Sequence, residues 1–299
     1  MCKTLIGVIG PTAIGKTSLS IELAKHFETE IVSADSRQFY KEMSIGTAVP
    51  TDEELTQAPH HFIQHISIED SYSVGDFERE ALQKLNSLFL THEKLIMVGG
   101  SGLYVNAVVH GLDEFPEVDP SIRVALNEKF ADSGVQVLQE ELKALDPEYY
   151  SEVDKDNPHR LIRALEVCLG TGKPYSSFRK NKRPEREFKS ILIGLTAERE
   201  LIYDRINKRV DMMMEQGLLE EVTQLADKKQ LNALNTVGYK ELFLHLEGKS
   251  SLEDAVSEIK KNTRRFAKRQ LTWFRKNEEV KWFDFRTPSE EIIQFLESQ

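Results

Sequence analysis

The sequence LIGVIGPTAIGKT, residues 5–17, joins a short apolar run to a glycine-rich turn and the first residues of a helical pattern. Its second half matches the P-loop pattern G-x-x-x-x-G-K-[ST]. The glycines let backbone N–H groups turn inward around phosphate oxygens, and the helix that follows adds positive potential at its N-terminus. We therefore predict a phosphate cradle formed by Gly10, Pro11, Thr12, Ala13, Ile14, Gly15, Lys16 and Thr17.

The last two residues of the cradle carry specific roles in this pattern. Lys16 is expected to reach the outer phosphate and the Thr17 hydroxyl to ligate Mg²⁺, which is the cofactor that the sequence predicts. By itself the pattern predicts nucleotide binding. However, the apolar run at residues 95–98 ends in Gly99, where ATPases of this type place an aspartate, and residues 207–211 lack the spacing of a guanine-reading motif. The cradle is equally suited to a diphosphate leaving group.

Alternating strand-like and helical patterns predict the fold class. Apolar runs at 5–9, 30–34 and 95–98 are separated by a helical pattern that starts at Lys16 and by an amphipathic segment at 76–90. This β-α-β-α-β order is typical of a parallel sheet flanked by helices. We predict an α/β protein with a P-loop NTPase-like core.

A second compositional region interrupts that core. Residues 117–187 are polar, rich in charge and helical in pattern, with loop signals at both edges, and an apolar run then resumes at 191–195. The predicted organisation is a catalytic core made of residues 1–116 and 188–299, with C-terminal helices, and a helical insertion at 117–187.

Bulk properties exclude several classes of protein. Two cysteines, Cys2 and Cys168, do not make a disulfide scaffold or a Cys-rich metal site. The net charge of −10 argues against general nucleic-acid binding, although a local basic face remains compatible with it. No apolar run reaches the roughly 18 residues of a membrane span, and the first three residues leave no room for a signal peptide. We expect a cytoplasmic protein.

Asp35 is the candidate carboxylate of the site. It follows the second predicted strand, and strand C-termini in an open parallel sheet line the crevice that also holds the P-loop. Three roles are open for it from spacing alone. It could act as a general base toward a nucleophile, cap the next helix, or hold Mg²⁺ through water.

Motifs along the whole chain, taken in order, resemble those of the tRNA dimethylallyltransferases, also called tRNA isopentenyltransferases. The P-loop alone is generic, but the joint set is highly specific. It comprises the P-loop at 10–17, SADSRQ at 33–38 with Tyr40, IGTA at 45–48, PHH at 59–61, VGGSGLY at 98–104, NPHRLIRALE at 157–166, VGYKE at 237–241, and Arg265 with KRQ at 268–270 and Trp273.

The resemblance implies a reaction and its partners. Members transfer a dimethylallyl group from dimethylallyl diphosphate to N6 of the adenosine that follows the anticodon on its 3′ side, in tRNAs that read codons starting with U. The P-loop would then hold the diphosphate, and Asp35 would accept the proton as N6 attacks. The implied partners are a tRNA anticodon stem-loop and dimethylallyl diphosphate, with no membrane, and we expect a monomer.

The resemblance also assigns roles to individual residues. Asp35, Ser101 and Lys16 are the implied catalytic residues, and Arg205 and Arg209 are candidate clamps for pyrophosphate or RNA. Residues implied to meet the tRNA are Asp35, Ser36, Arg37, Gln38, Ser101, Arg123, His159, Arg160, Leu161, Ile162 and Arg163. Relatives often carry Thr at the position of Ser101, Gln at that of His159 and Asp at that of Gln64, so this sequence departs from the family pattern at these three positions.

The long helical pattern at 252–276 has an apolar stripe and a basic stripe. Trp273 and Phe274 fall on the apolar stripe, with Gln270, and are expected in the core. The basic stripe is a solvated face or, given the resemblance, a tRNA contact. The residues of this basic stripe are Lys261, Arg264, Arg265, Lys268 and Arg275. A second basic cluster, at the end of the insertion, consists of Arg179, Lys180, Lys182, Arg183 and Arg186.

Two alternatives belong to other functional classes. A small-molecule kinase of the nucleoside-kinase type shares a P-loop core and a helical lid, and predicts tight ATP binding. A non-catalytic, nucleotide-dependent RNA-binding module predicts that replacing Asp35 leaves function intact.

Overall fold

The computed structural model describes residues 3–179 and 185–299. Its strands are β1 (Thr4–Ile9), β2 (Ile31–Ser33), β3 (His60–His61), β4 (Lys94–Gly99), β5 (Lys189–Thr196) and β6 (Lys281–Asp284). They form one sheet in the order β3-β2-β4-β1-β5-β6, and every neighbouring pair is parallel. The predicted parallel α/β fold is confirmed.

The sheet buries β1 completely, because β4 and β5 flank it and helices cover both faces. This explains why its sequence is a continuous apolar run rather than an alternating one. One face packs on Phe77 and Leu85, and the other on Leu23 and Ile206. The two-residue strand β3 has no pattern of its own and was not predicted.

Helices of the core surround this sheet. They are α1 (Lys16–His26), α2 (Asp52–Gln57), α3 (Val74–Leu88), α4 (Gly102–His110), α9 (Arg199–Glu215), α10 (Leu218–Gln224), α11 (Tyr239–Leu246), α12 (Leu252–Phe274) and α13 (Ser289–Glu297). Single 3₁₀ turns lie at Ala226–Lys228 and Asn232–Leu234. Local signals set the helix starts: at α3, Ser73 and Asp76 form a reciprocal capping box.

The insertion is a compact unit, Gly111–Pro184, with its own apolar core. It contains α5 (Pro120–Ser133), α6 (Val135–Leu145), α7 (Pro147–Glu152), α8 (Pro158–Thr171) and a 3₁₀ turn at Tyr175–Phe178. It begins before the predicted residue 117 because the ring of Phe115 stacks on Tyr175, 4.6 Å between centroids. Arg186 donates to the carbonyls of Ala107 and Val108, so the chain has returned to the core before residue 188.

Across the described ranges 3–179 and 185–299, no helix combines the length and apolarity that a membrane span requires.

Candidate active site

The cradle connects β1 to α1 through backbone conformations that favour glycine. Gly10 has φ 146° and Gly15 has φ 105°, while Ala13 takes a left-handed φ of 63°. A Cβ on Gly10 would lie 2.7 Å from the carbonyl oxygen of Leu195 on β5, so only glycine fits there. Gly15 then serves as the N-cap of α1, which leaves the first amides of that helix free for a ligand.

Two arginines of α9, the candidate clamps for pyrophosphate or RNA, lie along the cradle. Arg205 donates through Nε to the carbonyl of Ala13 at 2.7 Å, and Arg209 donates to the Thr12 hydroxyl at 3.3 Å. Burial lowers the pKa of Arg209, and nearby Asp35 acts in the opposite direction. Since arginine stays protonated in proteins, this direction marks a desolvated cation that an anion would stabilise.

Gln270 of α12 links the cradle to the glycine-rich turn after β4. Its Oε1 accepts from the amide of Thr12 at 2.9 Å, and its Nε2 donates to the carbonyl of Gly100 at 2.9 Å. Gly100 has no room for a side chain beside this amide group. This role of Gln270 was not predicted, although an amide side chain on an otherwise apolar helix stripe was the available signal.

Lys16 is the central cation of the cradle. Its Nζ donates to the carbonyl of Pro11 at 2.8 Å. Burial lowers the pKa of the Lys16 ammonium to about 8, with Asp35 opposing that shift and Arg209 adding to it. The side chain of Lys16 therefore changes from its charged to its neutral form near pH 8.

Asp35 lies just beyond β2 in a turn, not at a helix N-terminus. Its Oδ1 accepts from the amide of Arg37 at 3.2 Å, and the next helix, α2, begins only at Asp52. The helix-cap alternative for Asp35 is therefore wrong. The general-base and magnesium alternatives remain open.

Ser101 supports the turn that carries Asp35. Its Oγ accepts from the amide of Ser36 at 3.1 Å and lies 3.1 Å from the Ser36 hydroxyl. Close approach of the two segments requires Gly99, where a Cβ would collide with the carbonyl of Ala34. The structure thus places Ser101 beside Asp35 through Ser36.

Arg37 and Gln38 each hold a neighbouring loop. Arg37 donates through Nη1 to the carbonyls of Asn232 and Ala233, at 3.2 and 2.9 Å. Gln38 donates through Nε2 to the carbonyls of Thr47 and Ala48, at 3.3 and 2.8 Å. Both residues also line cavities at the site, Gln38 the smaller one and Arg37 the larger one, so they shape its walls.

Two cavities of about 460 and 600 Å³ adjoin this cluster. The smaller one is lined by the cradle from Thr12 to Ser18, by Arg205, and by the apolar side chains of Ile63 and Met212. The larger one reaches Ser36, Ser101 and α12. Residues that line both are Thr12, Lys16, Asp35, Thr47, Ala48 and Arg209.

Glu221 fixes the loop that contributes Thr47 and Ala48. Its carboxylate accepts from three successive amides, those of residues 44–46, at 2.9, 2.8 and 3.0 Å. It also accepts from the hydroxyl of the fully buried Tyr239 at 2.6 Å. Glu221 was not singled out from the sequence, because partners 175 or more positions apart leave no local pattern. Tyr239 lies in the motif at 237–241, but no role was predicted for it.

We expect Glu221→Gln to lower the free energy of unfolding by about 2–4 kcal/mol, since an amide NH₂ would face backbone donors that now share a carboxylate. Urea unfolding measures this. Tyr239→Phe, which removes one of the four bonds, should cost only about 1 kcal/mol. The exposed neighbour variant Glu220→Gln is the matched control. Equal stability of all three variants would show that the clamp contributes nothing.

The residues predicted in the insertion divide into two groups. His159 and Arg160 are exposed on the first turn of α8. Arg123 and Arg163 also keep exposed surface, but both donate to the buried carboxylate of Glu166, at 2.6 and 3.1 Å. Leu161 and Ile162 are buried in the insertion's core, so the predicted RNA contact through their side chains is wrong. Their apolar side chains stabilise the helix that presents the others.

The basic residues outside the cradle also differ in availability. Lys268 on α12 and Arg275, the C-cap of that helix, are exposed, whereas Arg264 donates to Asn207 at 2.7 Å. Arg186 pairs with Glu78 at 2.6 Å and has only 13% of its side chain exposed, so its assignment to an RNA-contacting cluster is wrong. Lys180, Lys182 and Arg183 lie outside the described residues.

Trp273 departs from its predicted place in the core. It is 39% exposed and lines the larger cavity, while its neighbour Phe274 is buried as expected. The two side chains point to different sides of α12 because adjacent helical residues are about 100° apart.

Known proteins similar to this chain are tRNA-modifying enzymes of one family. The family model "IPP transferase" matches residues 38–277. A tRNA dimethylallyltransferase of Christiangramia forsetii is 64% identical over 299 residues, covering 100% of this chain and 99% of the relative. One of Flavobacterium johnsoniae is 57% identical, covering 98% of this chain and 97% of the relative.

Two solved structures are similar to this chain over 99% of its length. A tRNA isopentenylpyrophosphate transferase from Bacillus halodurans is similar with a TM-score of 0.74 and 38% identity, covering 99% of this chain and 96% of that one. A eukaryotic dimethylallyltransferase, described as acting on tRNA, is similar with a TM-score of 0.83 and 25% identity, covering 99% of this chain and 80% of that one.

Proposed function

Because this chain belongs to the IPP transferase family, we propose that it transfers a dimethylallyl group from dimethylallyl diphosphate to tRNA. The proposed acceptor is N6 of the adenosine on the 3′ side of the anticodon, in tRNAs that read codons starting with U. The products are N6-isopentenyladenosine and pyrophosphate. The observation that carries this proposal is that Lys16, Asp35 and Arg209 line both cavities, one beside the phosphate cradle and one beside Ser101.

The proposed chemistry divides between the two cavities. As N6 forms its bond to the allylic carbon, the bond from that carbon to the diphosphate oxygen breaks. Cradle amides, Lys16 and Arg209 stabilise the charge that develops on the departing pyrophosphate. Asp35 accepts the proton that N6 loses. The apolar side chains of Ile63 and Met212 line the smaller cavity, where a dimethylallyl group would avoid water.

The donor set of the smaller cavity fits Mg²⁺. Thr17 lines it, and a hydroxyl oxygen, completed by phosphate oxygens and water, is a hard ligand that suits this ion. Thr17 would hold the ion, which supplies charge neutralisation to the diphosphate when bound.

The proposed tRNA contacts are local basic groups on an acidic protein. The net charge is −10, so binding of a polyanion depends on where the cations lie. The proposed contacts to the anticodon stem-loop lie in the insertion and are Arg123, His159, Arg160 and Arg163. We propose a monomer that works in the cytoplasm, since the chemistry described above calls on one chain.

The test incubates the protein with Mg²⁺, labelled dimethylallyl diphosphate and an anticodon stem-loop, and counts the label on RNA. A stem-loop with guanosine at the target position is the matched control. Label on the first RNA alone supports the proposal. No transfer, together with better protection against heat by ATP than by dimethylallyl diphosphate, would favour the nucleoside-kinase alternative instead.

The lowered pKa of Lys16 predicts a pH dependence of pyrophosphate binding. Below pH 8 the ammonium is present in the free protein, and above pH 8 it is lost. Binding must then take up a proton, so affinity should fall by up to tenfold per pH unit above that value. Isothermal titration from pH 7 to 9.5 measures this.

Lys16→Arg provides the control for that experiment, because a guanidinium stays charged over this range. Pyrophosphate itself ionises in the same way in both experiments. The pH dependence of the ratio of the two affinities therefore reports the titration of Lys16 alone. A ratio that does not change with pH would contradict the titration of Lys16.

A further inference from the structure

Trp273 forms part of the wall of the larger cavity, next to the turn that bears Ser101. Its indole packs directly on Gly102, where a Cβ would overlap the five-membered ring. Glycine at this position therefore allows α12 to bring an aromatic ring beside Ser101. The ring is nevertheless 39% exposed, so the protein covers only part of it.

A second exposed aromatic ring lies two helical turns earlier on α12. Phe266 is also 39% exposed and lines the same cavity, and the guanidinium of Arg269 lies 5.7 Å from its ring centroid. Residues of the same helix that face the core, Ala267 and Phe274, are buried. The exposed rings thus form one face of α12 that is directed to the cavity and not to the apolar core.

The charges around these rings have one predominant sign. Among the described residues that line the larger cavity, Asp35 is the single acid. The cations are Lys16, Arg37, Arg209, Lys240 and Arg269. A protein with a net charge of −10 has concentrated positive charge here. Aromatic faces combined with cations are the means by which proteins bind unpaired nucleic-acid bases and their phosphates.

We propose that Trp273 stacks on the target adenine while N6 of that base faces Asp35. This inference rests on the proposed function and extends it by assigning the residue that holds the base. Access to Asp35 requires the adenine to leave its stack in the RNA loop, and an aromatic partner replaces part of the stacking that is lost.

Fluorescence tests the contact directly because the chain has two tryptophans. Trp282 on β6 packs over Gly194, away from the residues that line either cavity. In Trp282→Phe, the remaining emission comes from Trp273. Addition of the anticodon stem-loop should quench it, and a stem-loop that is abasic at the target position should quench it much less. Equal quenching by both RNAs would assign the contact to another base and overturn the proposal.

Kinetics of two substitutions provide an independent readout. Trp273→Ala should lower kcat/KM for the stem-loop by about 10–10²-fold, the size of one lost base stack, with little change in KM for dimethylallyl diphosphate. Trp273→Phe should recover most of that loss because it keeps an aromatic face. An alanine variant as active as the parent would overturn the proposal.

The outcomes separate this inference from the function on which it rests. Trp282→Phe that transfers label without any quenching would end the stacking proposal and leave the proposed function intact. A protein that binds the stem-loop but transfers no label would contradict the proposed function. Heat-unfolding midpoints of the Trp273 variants show whether folding is retained, and the fluorescence experiment does not alter Trp273 at all.

Discussion

Asp35→Asn is expected to lower the rate of dimethylallyl transfer by about 10²–10⁴-fold, the range typical for loss of a general base. Asparagine has the same shape and can still accept the hydrogen bond from the amide of Arg37. It cannot take the proton from N6. Single-turnover transfer to the stem-loop, with both substrates saturating, isolates the chemical step.

Two controls accompany the Asp35 variant. Its unfolding midpoint and its affinity for pyrophosphate should stay close to those of the parent protein. Raising the Mg²⁺ concentration should not restore the rate. Recovery at high Mg²⁺ would support the alternative in which Asp35 holds the ion through water, and an unchanged rate of transfer would exclude Asp35 as the general base.

Local patterns in the sequence predicted much of the fold. The apolar runs of β1 and β4 are continuous because both strands lie inside a parallel sheet, and the cradle depends on eight consecutive residues. Features of this kind are visible in a single window of sequence. The two-residue β3 is too short to produce any periodicity, so it was missed.

Long-range contacts account for what the sequence could not predict. Gln270 binds a cradle amide 258 positions away, and Glu221 clamps a loop more than 170 positions away. No spacing rule connects such partners. For Leu161 and Ile162 the prediction assigned too much. The motif at 157–166 was assigned to RNA contact as a whole, but it contains buried residues that stabilise α8 as well as exposed residues that can contact a ligand.

Trp273 shows a further limit of pattern analysis. Helical periodicity placed it on one apolar stripe with Phe274, but in the structure Trp273 lines the larger cavity while Phe274 is buried. Periodicity does not show whether an apolar face meets a core or a cavity, since both exclude water when occupied. The three-dimensional position beside Gly102 and Ser101 makes that distinction.

Arg209→Gln is expected to lower kcat by about 10²–10³-fold, comparable to the removal of one group that stabilises charge in a transition state. Arg209 lines both cavities, and burial already lowers its pKa, so it is a desolvated cation placed where the leaving group gains charge. Glutamine retains hydrogen-bond donors without the charge. Steady-state transfer with varied dimethylallyl diphosphate would separate the effects on kcat and KM.

The neighbouring Lys208 offers the matched control for Arg209. It lines the smaller cavity but has 72% of its side chain exposed and pairs with Asp204 at 2.8 Å. An exposed charge is screened by water and salt, so Lys208→Gln should change kcat by less than about threefold. If both variants lost activity equally, net positive charge near the cavity would explain the effect. If only Arg209→Gln lost activity, the reaction would depend on the desolvated cation at the cradle and not on positive charge in general.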